Sequence, residues 1–581
     1  MHDLRPVTPT APWPLAALLA TPALLAYNLS PSSTLLNQLC ALAAWGLLML
    51  LAPVAQAVPG SSRSGGPAWL RWPLLGTAGV LLVAGVAWSL WQGLPDSLAR
   101  SSMAVLLAAL AVLAWARHST LDGASVGRGL VLAGALSVVV GLVQVFLPAW
   151  ADGSWVARSG LAGRAVGNLR QPNHLSTVLL WGLIWWVPLA ERLQRQATPG
   201  QLATWWALAA ALVLGVVLTA SRTGIVGIVL LAVWGLADHK LARRVRAALV
   251  SAPLVYLLFW GLMAVWAHQT QHTFGGEARL AEADLSASRF GIWSNTLALI
   301  RAQPWTGVGW GEFNFAWTLT PFPDRPVAFF DHSHNLPLNL LAELGLPLGG
   351  AVLLLLLAAL AQAGLQAWRR QGDDGVGARA AFVMVLLVGL HSLLEYPLWY
   401  AYFLLPTAWA WGHALRPAAR PDPGRREGAW GVRLAGAVMV LGAAFAAWDY
   451  GRVVVIYTPS ANAAPLPQRI ARGQDSFFFA HHADYAAATS TEPPSQAMGA
   501  FETTTHALLD TRLMMDWTRA LAESGHLDKA RHVAARLREF RNPAADEFFA
   551  PCQAVPPPAP LPVQCQAPTV TLPWRRFLPS H

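Results

Sequence analysis

Two histidines, a carboxylate and an amide stand together where a polar stretch meets an apolar run. Asp331, His332, His334 and Asn335 come directly before the run that begins at Leu336. Because histidine titrates near neutral pH, either imidazole could serve as a general base. A buried structural histidine and a metal site are the competing explanations, but carboxylates at ligand spacing are not evident beside the pair. The pattern therefore favours a proton-transfer site at this boundary.

Two arginines lie where an anion could be bound. Arg222 separates two apolar runs, with Ser221 and Thr223 beside it, and Arg289 opens a stretch with helical amphipathic spacing, 289–301. A guanidinium offers a fork of donors that matches phosphate oxygens. The alternative for Arg222 is a tight turn whose side chain reaches towards lipid headgroups. Both arginines are candidate ligands of a phosphorylated substrate.

A third polar stretch, Gly167–His174, leads into another apolar run. It contains Arg170, Gln171, Asn173 and His174. Asn173 would be a good helix N-cap. Capping alone does not require the other three side chains, so the stretch favours a functional role over a purely structural one.

A fourth stretch, His391–Tyr400, combines aromatic residues with one acid, Glu395. Glu395 could orient an imidazole or pair with an arginine. An aromatic belt at a membrane interface with a single acid explains the same residues equally well.

Composition indicates what kind of structure holds these residues. Of the 581 residues, 55% are hydrophobic and 12% are charged, whereas soluble domains carry about 25% charged residues. Apolar runs of about 20 residues match the hydrocarbon thickness of a bilayer, and such runs recur along most of the chain. The sequence predicts an all-α polytopic membrane protein of about thirteen transmembrane helices. They centre on 12–28, 34–57, 73–91, 101–116, 129–149, 174–190, 203–220, 223–237, 247–267, 346–368, 378–394, 398–415 and 430–448.

The net charge of +10 is typical of a membrane protein whose cationic loops set its orientation. A nucleic-acid partner is disfavoured because no basic module with interleaved aromatic residues is present. Counting helices places most loop cations on one side, which the positive-inside rule makes cytoplasmic. These cations are Arg63, Arg71, Arg117, Arg128, Arg192, Arg195, Lys240, Arg243, Arg244, Arg246, Arg369, Arg370, Arg379, Arg416, Arg420, Arg425, Arg426 and Arg433.

The other side receives the four polar stretches, a long loop at about 268–335, and the tail. We predict two domains, a membrane domain at 1–448 and a helical C-terminal domain at 449–581. Within the tail, apolar residues recur at helical spacing on either side of Gly525, which predicts a helical hairpin.

The three cysteines have different surroundings. Cys40 lies in an apolar run and is expected to be an inert thiol. Cys552 and Cys565 flank a proline-rich stretch, 556–560. We predict a disulfide between these two, which requires that the tail face an oxidising compartment.

Together the motifs resemble those of bacterial O-linked oligosaccharyltransferases of the PglL type, the pilin glycosylation ligases of the O-antigen ligase and polymerase superfamily. Gly167–His174 resembles the element of the protein-glycosylating branch. Ser221–Gly224, Arg289–Gly311 and His332–Gly345 resemble the core of the superfamily, and His391–Tyr400 with the following tail resembles the C-terminal region of the branch. The elements occur in the family's order over roughly residues 160–415.

The resemblance implies a multi-pass glycosyltransferase of the bacterial inner membrane whose site faces the periplasm. Its donor would be an oligosaccharide on undecaprenyl diphosphate, and its acceptor a serine or threonine of an exported protein such as pilin. It implies neither a nucleotide sugar nor a metal or other cofactor.

The same resemblance suggests roles for individual residues. The superfamily's His-Asn pair places the general base at His334, with His332 as the second candidate. Arg222 and Arg289 would bind the donor diphosphate. The remaining polar side chains would orient the acceptor or the glycan, although the family pattern fixes no role for the last of them; they are Arg170, Gln171, Asn173, His174 and Glu395.

Three other functions remain open on the sequence. One is a ligase that passes glycan to lipid A core, and another is a polymerase that extends the O-antigen. A transporter of lipid-linked sugars comes from a different class, but transporters tend to place polar residues at the membrane midplane in broken helices. Here the polar residues gather on one face, which favours an enzyme that works at the membrane surface.

Overall fold

The computed structural model describes residues 12–51, 73–119, 121–281, 284–327, 329–416, 429–554 and 560–578. Five of the predicted loop cations lie outside these residues, as does most of the proline-rich stretch at 556–560; the cations are Arg63, Arg71, Arg420, Arg425 and Arg426. Helices dominate throughout the described ranges, as the composition predicts. The helices of the apolar bundle are α1 (Pro12–Leu24), α2 (Leu35–Leu51), α3 (Leu74–Trp91), α4 (Asp96–His118), α5 (Gly123–Phe146), α6 (Pro172–Leu193), α7 (Pro199–Thr219), α8 (Arg222–Ala237) and α9 (Arg243–Thr270).

The second half of the chain adds helices of two kinds. Three belong to the long loop between α9 and the next long helix: α10 (Gly275–Ala281), α11 (Asp284–Ala302) and α12 (Phe313–Leu319). The bundle is completed by α13 (Leu336–Arg369), α14 (Gly372–His391), α15 (Ala401–Ala414) and α16 (Ala429–Tyr457). The tail contains α17 (Leu466–Gln474), α18 (Ala480–Ala488), α19 (Met498–Thr504), α20 (Thr511–Glu523), α21 (Leu527–Glu539) and α22 (Asp546–Phe549).

Each of the thirteen apolar runs contains a helix. Among the described residues, eight helices are long and apolar enough to cross a membrane, and three shorter ones are apolar as well. The chain is therefore a polytopic helical membrane protein, while the total of thirteen spans stays a prediction. The run at 430–448 continues as helix to Tyr457, so the predicted domain boundary at 448 falls inside α16.

The most enclosed helix of the bundle is α6. Nearly all of its side chains are buried, and it packs against α5, α7, α8 and α14. Trp185 and Trp186 are among the largest fully buried side chains of the protein. Because α6 is central, the polar residues at its start are held at one end of the bundle among the ends of its neighbours.

A break in α13 shapes the same end of the bundle. Gly345 has φ 72° and separates the first turns of α13 from the long apolar part. The loop at 304–311 packs into this break, since the N–H of Val308 donates to the carbonyl of Ala342 and the N–H of Leu346 donates to the carbonyl of Pro304. A Cβ at Gly345 would lie 2.5 Å from the carbonyl oxygen of Trp305. Because glycine has no Cβ, the loop can pack directly against the break and contact the short first segment of α13.

The tail and the long loop share one hydrophobic core, which includes Phe313 and Trp317 of α12 and Trp517 of α20. A buried cation also joins them. The Nε of Arg325 lies 3.1 Å from Oε2 of Glu539, and the same guanidinium donates to main-chain carbonyls of the loop. The two segments are therefore packed against each other through one core, and the division of the chain into two domains stays a prediction.

The helical hairpin predicted around Gly525 is confirmed by α20 and α21, with Gly525 in the left-handed region at φ 80°. The structure also joins Cys552 and Cys565 by a disulfide, with the Cα atoms 5.1 Å apart.

We predict that both tail cysteines of the mature protein resist thiol labelling until a reductant is added. The reason is the predicted placement of the tail in an oxidising compartment, where such pairs persist. Mass spectrometry of the alkylated protein, with and without reduction, measures the outcome. Cys40 is the internal reference because it is a free thiol in the structure. Labelling of Cys552 and Cys565 without reductant would contradict the prediction.

Candidate active site

His334 lies in the turn immediately before α13, and its backbone is held in an unusual conformation. Its φ is 52°, in the left-handed region that costs a residue with a side chain about 1–3 kcal/mol. Neighbouring groups maintain this turn: the N–H of Ser333 donates to Oδ1 of Asn339 at 2.9 Å, and Asn335 caps α13 by accepting from the N–H of Leu338 at 3.0 Å. The turn thus fixes the direction of the His334 imidazole.

The partner of His334 is Glu395, which lies in the stretch His391–Tyr400 and contacts side chains from three other polar segments. Nδ1 of His334 lies 2.8 Å from Oε2 of Glu395. The other carboxylate oxygen, Oε1, accepts a hydrogen bond from Nδ2 of Asn173 at 3.0 Å and an ion-pair hydrogen bond from the guanidinium of Arg289. The Glu395 side chain is 6% exposed. One buried carboxylate therefore holds an imidazole, a guanidinium and an amide together.

The surroundings of Glu395 determine its protonation. Burial raises the pKa of this carboxyl, but the hydrogen bond and charge of His334 and the charge of Arg289 outweigh burial, so the pKa is lowered from its ordinary value. The carboxylate is therefore ionised at neutral pH and can only accept hydrogen bonds. Nδ1 of His334 must then carry the hydrogen, which leaves Nε2 of the neutral ring with a free lone pair. This is the tautomer that a general base requires.

The turn that contains Ser221 joins the network through Asn173. Oδ1 of Asn173 accepts a hydrogen bond from Oγ of Ser221 at 2.6 Å. The same Oγ caps α8 by accepting from the N–H of Gly224 at 3.1 Å. The turn between α7 and α8 is therefore locked to α6, and Arg222, the first residue of α8, stands directly beside this link.

Arg222 differs from Arg289 in its surroundings. Its side chain is exposed, and among the described residues it makes no hydrogen bond or ion pair. The side chain of Arg289 is 20% exposed and is anchored by Glu395. The site therefore contains one fixed cation and one free cation at the same end of the bundle.

His332 is placed differently from His334. Its Nδ1 lies 3.3 Å from Oδ1 of Asp331, and its ring stacks on Tyr396 and meets the edge of Trp399 at centroid distances of 4.6 and 4.5 Å. Burial raises the pKa of the Asp331 carboxyl, but the nearby charge of His332 lowers it to about 2. His332 therefore forms a second acid–imidazole pair, enclosed by aromatic rings and outside the Glu395 network.

Two of the residues predicted to bind acceptor or glycan make contacts within the protein, and their binding role stays a prediction. The guanidinium of Arg170 donates to the carbonyls of Ala26 and Ser33. The ring of His174 is 3% exposed and lies against the aromatic rings of α15. Both side chains are occupied by packing, because the loop before α6 folds back over the bundle.

The other two predicted residues of that stretch occupy the first turn of α6. Gln171, rather than Asn173, is the N-cap residue, because Pro172 begins the helix. Oε1 of Gln171 is buried without a hydrogen-bond partner among the described residues. Asn173 thus belongs to the network, while a role for Gln171 in substrate binding stays a prediction.

Sequence reasoning missed the contribution of Ser221 and of Tyr396. In the sequence, Ser221 was considered only as a neighbour of Arg222. A serine three residues before Gly224, at the start of an apolar run, is nevertheless a recognisable N-cap. Tyr396, whose ring contacts both His332 and His334, was hidden in a stretch equally typical of a membrane interface.

Comparison with protein families matches three segments in order. Residues 165–185 match the protein glycosylation ligase family, and residues 207–353 match the O-antigen ligase family. Residues 379–550 match the C-terminal part of a family described as virulence factor membrane-bound polymerase. The first match contains Asn173, the second contains Arg222, Arg289 and His334, and the third contains Glu395. The hydrogen-bond network therefore joins all three matched segments.

Two curated proteins of Acinetobacter baylyi (strain ATCC 33305 / BD413 / ADP1) are similar to this chain. A general O-oligosaccharyltransferase is 28% identical over 271 residues, 45% of either chain. A ComP-specific O-oligosaccharyltransferase is 27% identical over 259 residues, 44% of either chain. The chain thus matches less than half of the length of these relatives. The resemblance predicted from the motifs is confirmed: this membrane protein is similar to O-linked oligosaccharyltransferases of the PglL type, within the O-antigen ligase superfamily.

Proposed function

We propose that this chain transfers an oligosaccharide en bloc from undecaprenyl diphosphate to serine or threonine hydroxyls of exported proteins such as pilin. In this proposal the site faces the periplasm from the inner membrane. The observation that carries it is the network in which Glu395 contacts His334, Arg289 and Asn173. Together these four residues come from all three matched segments. The names of the two similar Acinetobacter proteins support the reaction class.

The two arginines suit a diphosphate donor. Leaving of the lipid diphosphate builds negative charge on the oxygen that departs from the sugar, and positioned cations stabilise such charge. Arg289 is held by Glu395 through one nitrogen, so its remaining donors are available. Arg222 is exposed and unpaired within the described residues. We assign the diphosphate to these two guanidinium groups.

His334 suits activation of the acceptor. An alcohol is a weak nucleophile, and a positioned base that removes its proton typically accelerates transfer about 10²–10⁴-fold. In the proposed step the acceptor oxygen bonds to the anomeric carbon while its proton passes to Nε2 of His334. The bond from that carbon to the diphosphate oxygen breaks, and undecaprenyl diphosphate leaves with the electron pair. Direct displacement inverts the anomeric centre, and the imidazolium is stabilised by the Glu395 carboxylate.

A second candidate reaction uses the same site with a sugar acceptor. The match of residues 207–353 to an O-antigen ligase family and of 379–550 to a polymerase family favours it. A host that supplies lipid-linked oligosaccharide, pilin and lipid A core distinguishes the possibilities. Glycosylated pilin supports the proposed function. Glycan found only on lipid A core, or only in longer glycan chains, would mean that the acceptor is lipid A core or another glycan rather than a protein. Movement of lipid-linked glycan across the membrane with no transfer would indicate a transporter instead.

We predict that Arg222→Gln raises the donor concentration needed for half-maximal transfer about tenfold or more, because a charge-assisted hydrogen bond contributes about 1.5–3 kcal/mol. Donor titration with reconstituted protein and a fixed pilin concentration measures the effect. The matched control is Arg301→Gln, which removes an exposed arginine from the far end of α11. An unchanged donor requirement in Arg222→Gln would remove this residue from the donor site.

A further inference from the structure

A groove of about 480 Å³ lies between α6, α7, α8 and α9. This volume is within the range of about 300–1,000 Å³ that is typical of ligand pockets. Its wall is apolar: Trp206, Ala209 and Val213 line it from α7, and Ala248 and Val255 line it from α9. The groove therefore offers a surface suited to hydrocarbon.

The position of the groove along the helices separates it from the candidate active site. On α7 the lining residues run from Trp206 to Val213, in the middle of the helix. On α9 they extend from Arg244 to Val255, about 16 Å at 1.5 Å per residue. That length is close to half of the roughly 30 Å hydrocarbon core of a bilayer. The groove thus runs from the middle of the bundle to the end that carries Arg244, which is the end opposite the Glu395 network.

One charged side chain, Arg244, lines this apolar groove. It is exposed, and in the described parts of the chain it makes no hydrogen bond or ion pair. By contrast, Arg192 at the same end of the bundle has a counterion, since its Nη1 lies 2.5 Å from Oδ2 of Asp122. Arg244 therefore lacks a protein counterion at the point where the groove reaches the headgroup region.

We propose that this groove binds an anionic phospholipid, with an acyl chain along α7 and α9 and the phosphate on Arg244. The length of one leaflet, the apolar wall and the unpaired guanidinium together match that occupant. Basic pockets between membrane helices are a recognised form of site for anionic lipid headgroups. This lipid is structural rather than a glycan donor, because Arg244, which would hold its phosphate, lies at the end of the bundle away from the proposed donor arginines.

The test reconstitutes the full chain in nanodiscs of phosphatidylcholine mixed with phosphatidylglycerol, and measures by native mass spectrometry which lipid stays bound. We expect retained phosphatidylglycerol, and about a fivefold weaker preference for it in Arg244→Gln, since one cation near a membrane surface changes anionic-lipid affinity by about that factor. Ala248→Phe, which fills the groove but keeps Arg244, should also release the lipid. Arg433→Gln, at an exposed position in the first turns of α16, should retain it.

Three results would overturn the proposal. The first is a native protein that retains no phosphatidylglycerol. The second is equal retention of both lipids that Arg244→Gln leaves unchanged, because the groove would then take any acyl chain. The third is a dimer that Ala248→Phe dissociates, because the occupant would then be a second copy of this chain.

Discussion

Replacement of His334 by alanine is expected to lower the rate of glycan transfer about 10²–10⁴-fold, the usual contribution of a positioned general base. The geometry supports this expectation because Glu395 fixes Nδ1 as the protonated nitrogen and leaves Nε2 to accept a proton. His334 is also the predicted base that belongs to the network shared with Arg289. We expect the loss in kcat, with little change in the donor concentration required, since in the proposed reaction the imidazole acts on the acceptor hydroxyl.

The matched control is His332→Ala, which removes the neighbouring imidazole. His332 is paired with Asp331 and stacked on Tyr396, so its removal should cost less activity than removal of His334. Transfer to pilin by both variants, at equal membrane abundance and equal thermal midpoint, measures the difference. Full activity of His334→Ala would exclude this residue as the base, and loss confined to His332→Ala would exchange the roles of the two histidines.

Much of the fold was predictable because the bilayer demands long apolar runs, and each predicted run contains a helix. The individual side-chain partners were less accessible to sequence reasoning. Arg170 and His174 have residue types suited to binding, yet the loop before α6 folds over the bundle and uses them in packing. Their roles depended on contacts with segments more than a hundred residues away, which a local pattern does not contain.

The role of Glu395 illustrates the same limit. From the sequence it was either an interfacial acid or a partner of an imidazole or arginine, and these explanations were balanced. The structure pairs it with both His334 and Arg289, because the break at Gly345 and the turn at His334 bring the start of α13 against the end of α14. A pairing of this kind arises from tertiary packing, so the sequence could name the residues but not join them.

The C-terminal tail makes a contact that the sequence did not predict. A helical hairpin was predictable from apolar spacing, and α20 and α21 confirm it. Its core, however, is continuous with that of the long loop through residues such as Phe313 and Trp517. The loop carries Arg289 on α11, so the tail supports the body that holds one wall of the candidate site.

Replacement of Glu395 by glutamine is expected to reduce transfer by about two orders of magnitude, and to change its pH profile. The substitution keeps the shape of the side chain but removes the charge that fixes the His334 tautomer and pairs with Arg289. In serine proteases, loss of the carboxylate that orients the catalytic histidine lowers kcat about 10⁴-fold. Glu395 is a positioning residue here, so an effect on kcat with an altered pH dependence would separate this role from simple loss of folded protein.

Stability provides the second readout for Glu395→Gln. Removal of one partner from a buried ion pair typically costs about 3–5 kcal/mol, and the lower end applies because the Arg289 side chain is 20% exposed. The pKa of Glu395 is lowered in the folded protein, so its contribution is present above the ordinary carboxyl pKa and is lost as pH falls through the lowered one. The thermal midpoint of the variant should therefore lie below that of the native protein at neutral pH, and the difference should shrink in acid.

The control for Glu395→Gln is Glu277→Gln, which breaks another glutamate–histidine pair, in the long loop that follows α9. Oε1 of Glu277 lies 3.1 Å from Nε2 of His268, whose side chain is 75% exposed. Because exposed pairs contribute little to stability, this variant should retain native transfer and a native thermal midpoint. If the two variants had the same transfer activity and the same thermal midpoint, the buried pair would matter no more than the solvent-exposed one. That result would mean that the Glu395 network does not position the base. A loss of transfer restricted to Glu395→Gln, with the predicted change in pH profile, would instead tie activity to the single carboxylate that holds His334 and Arg289.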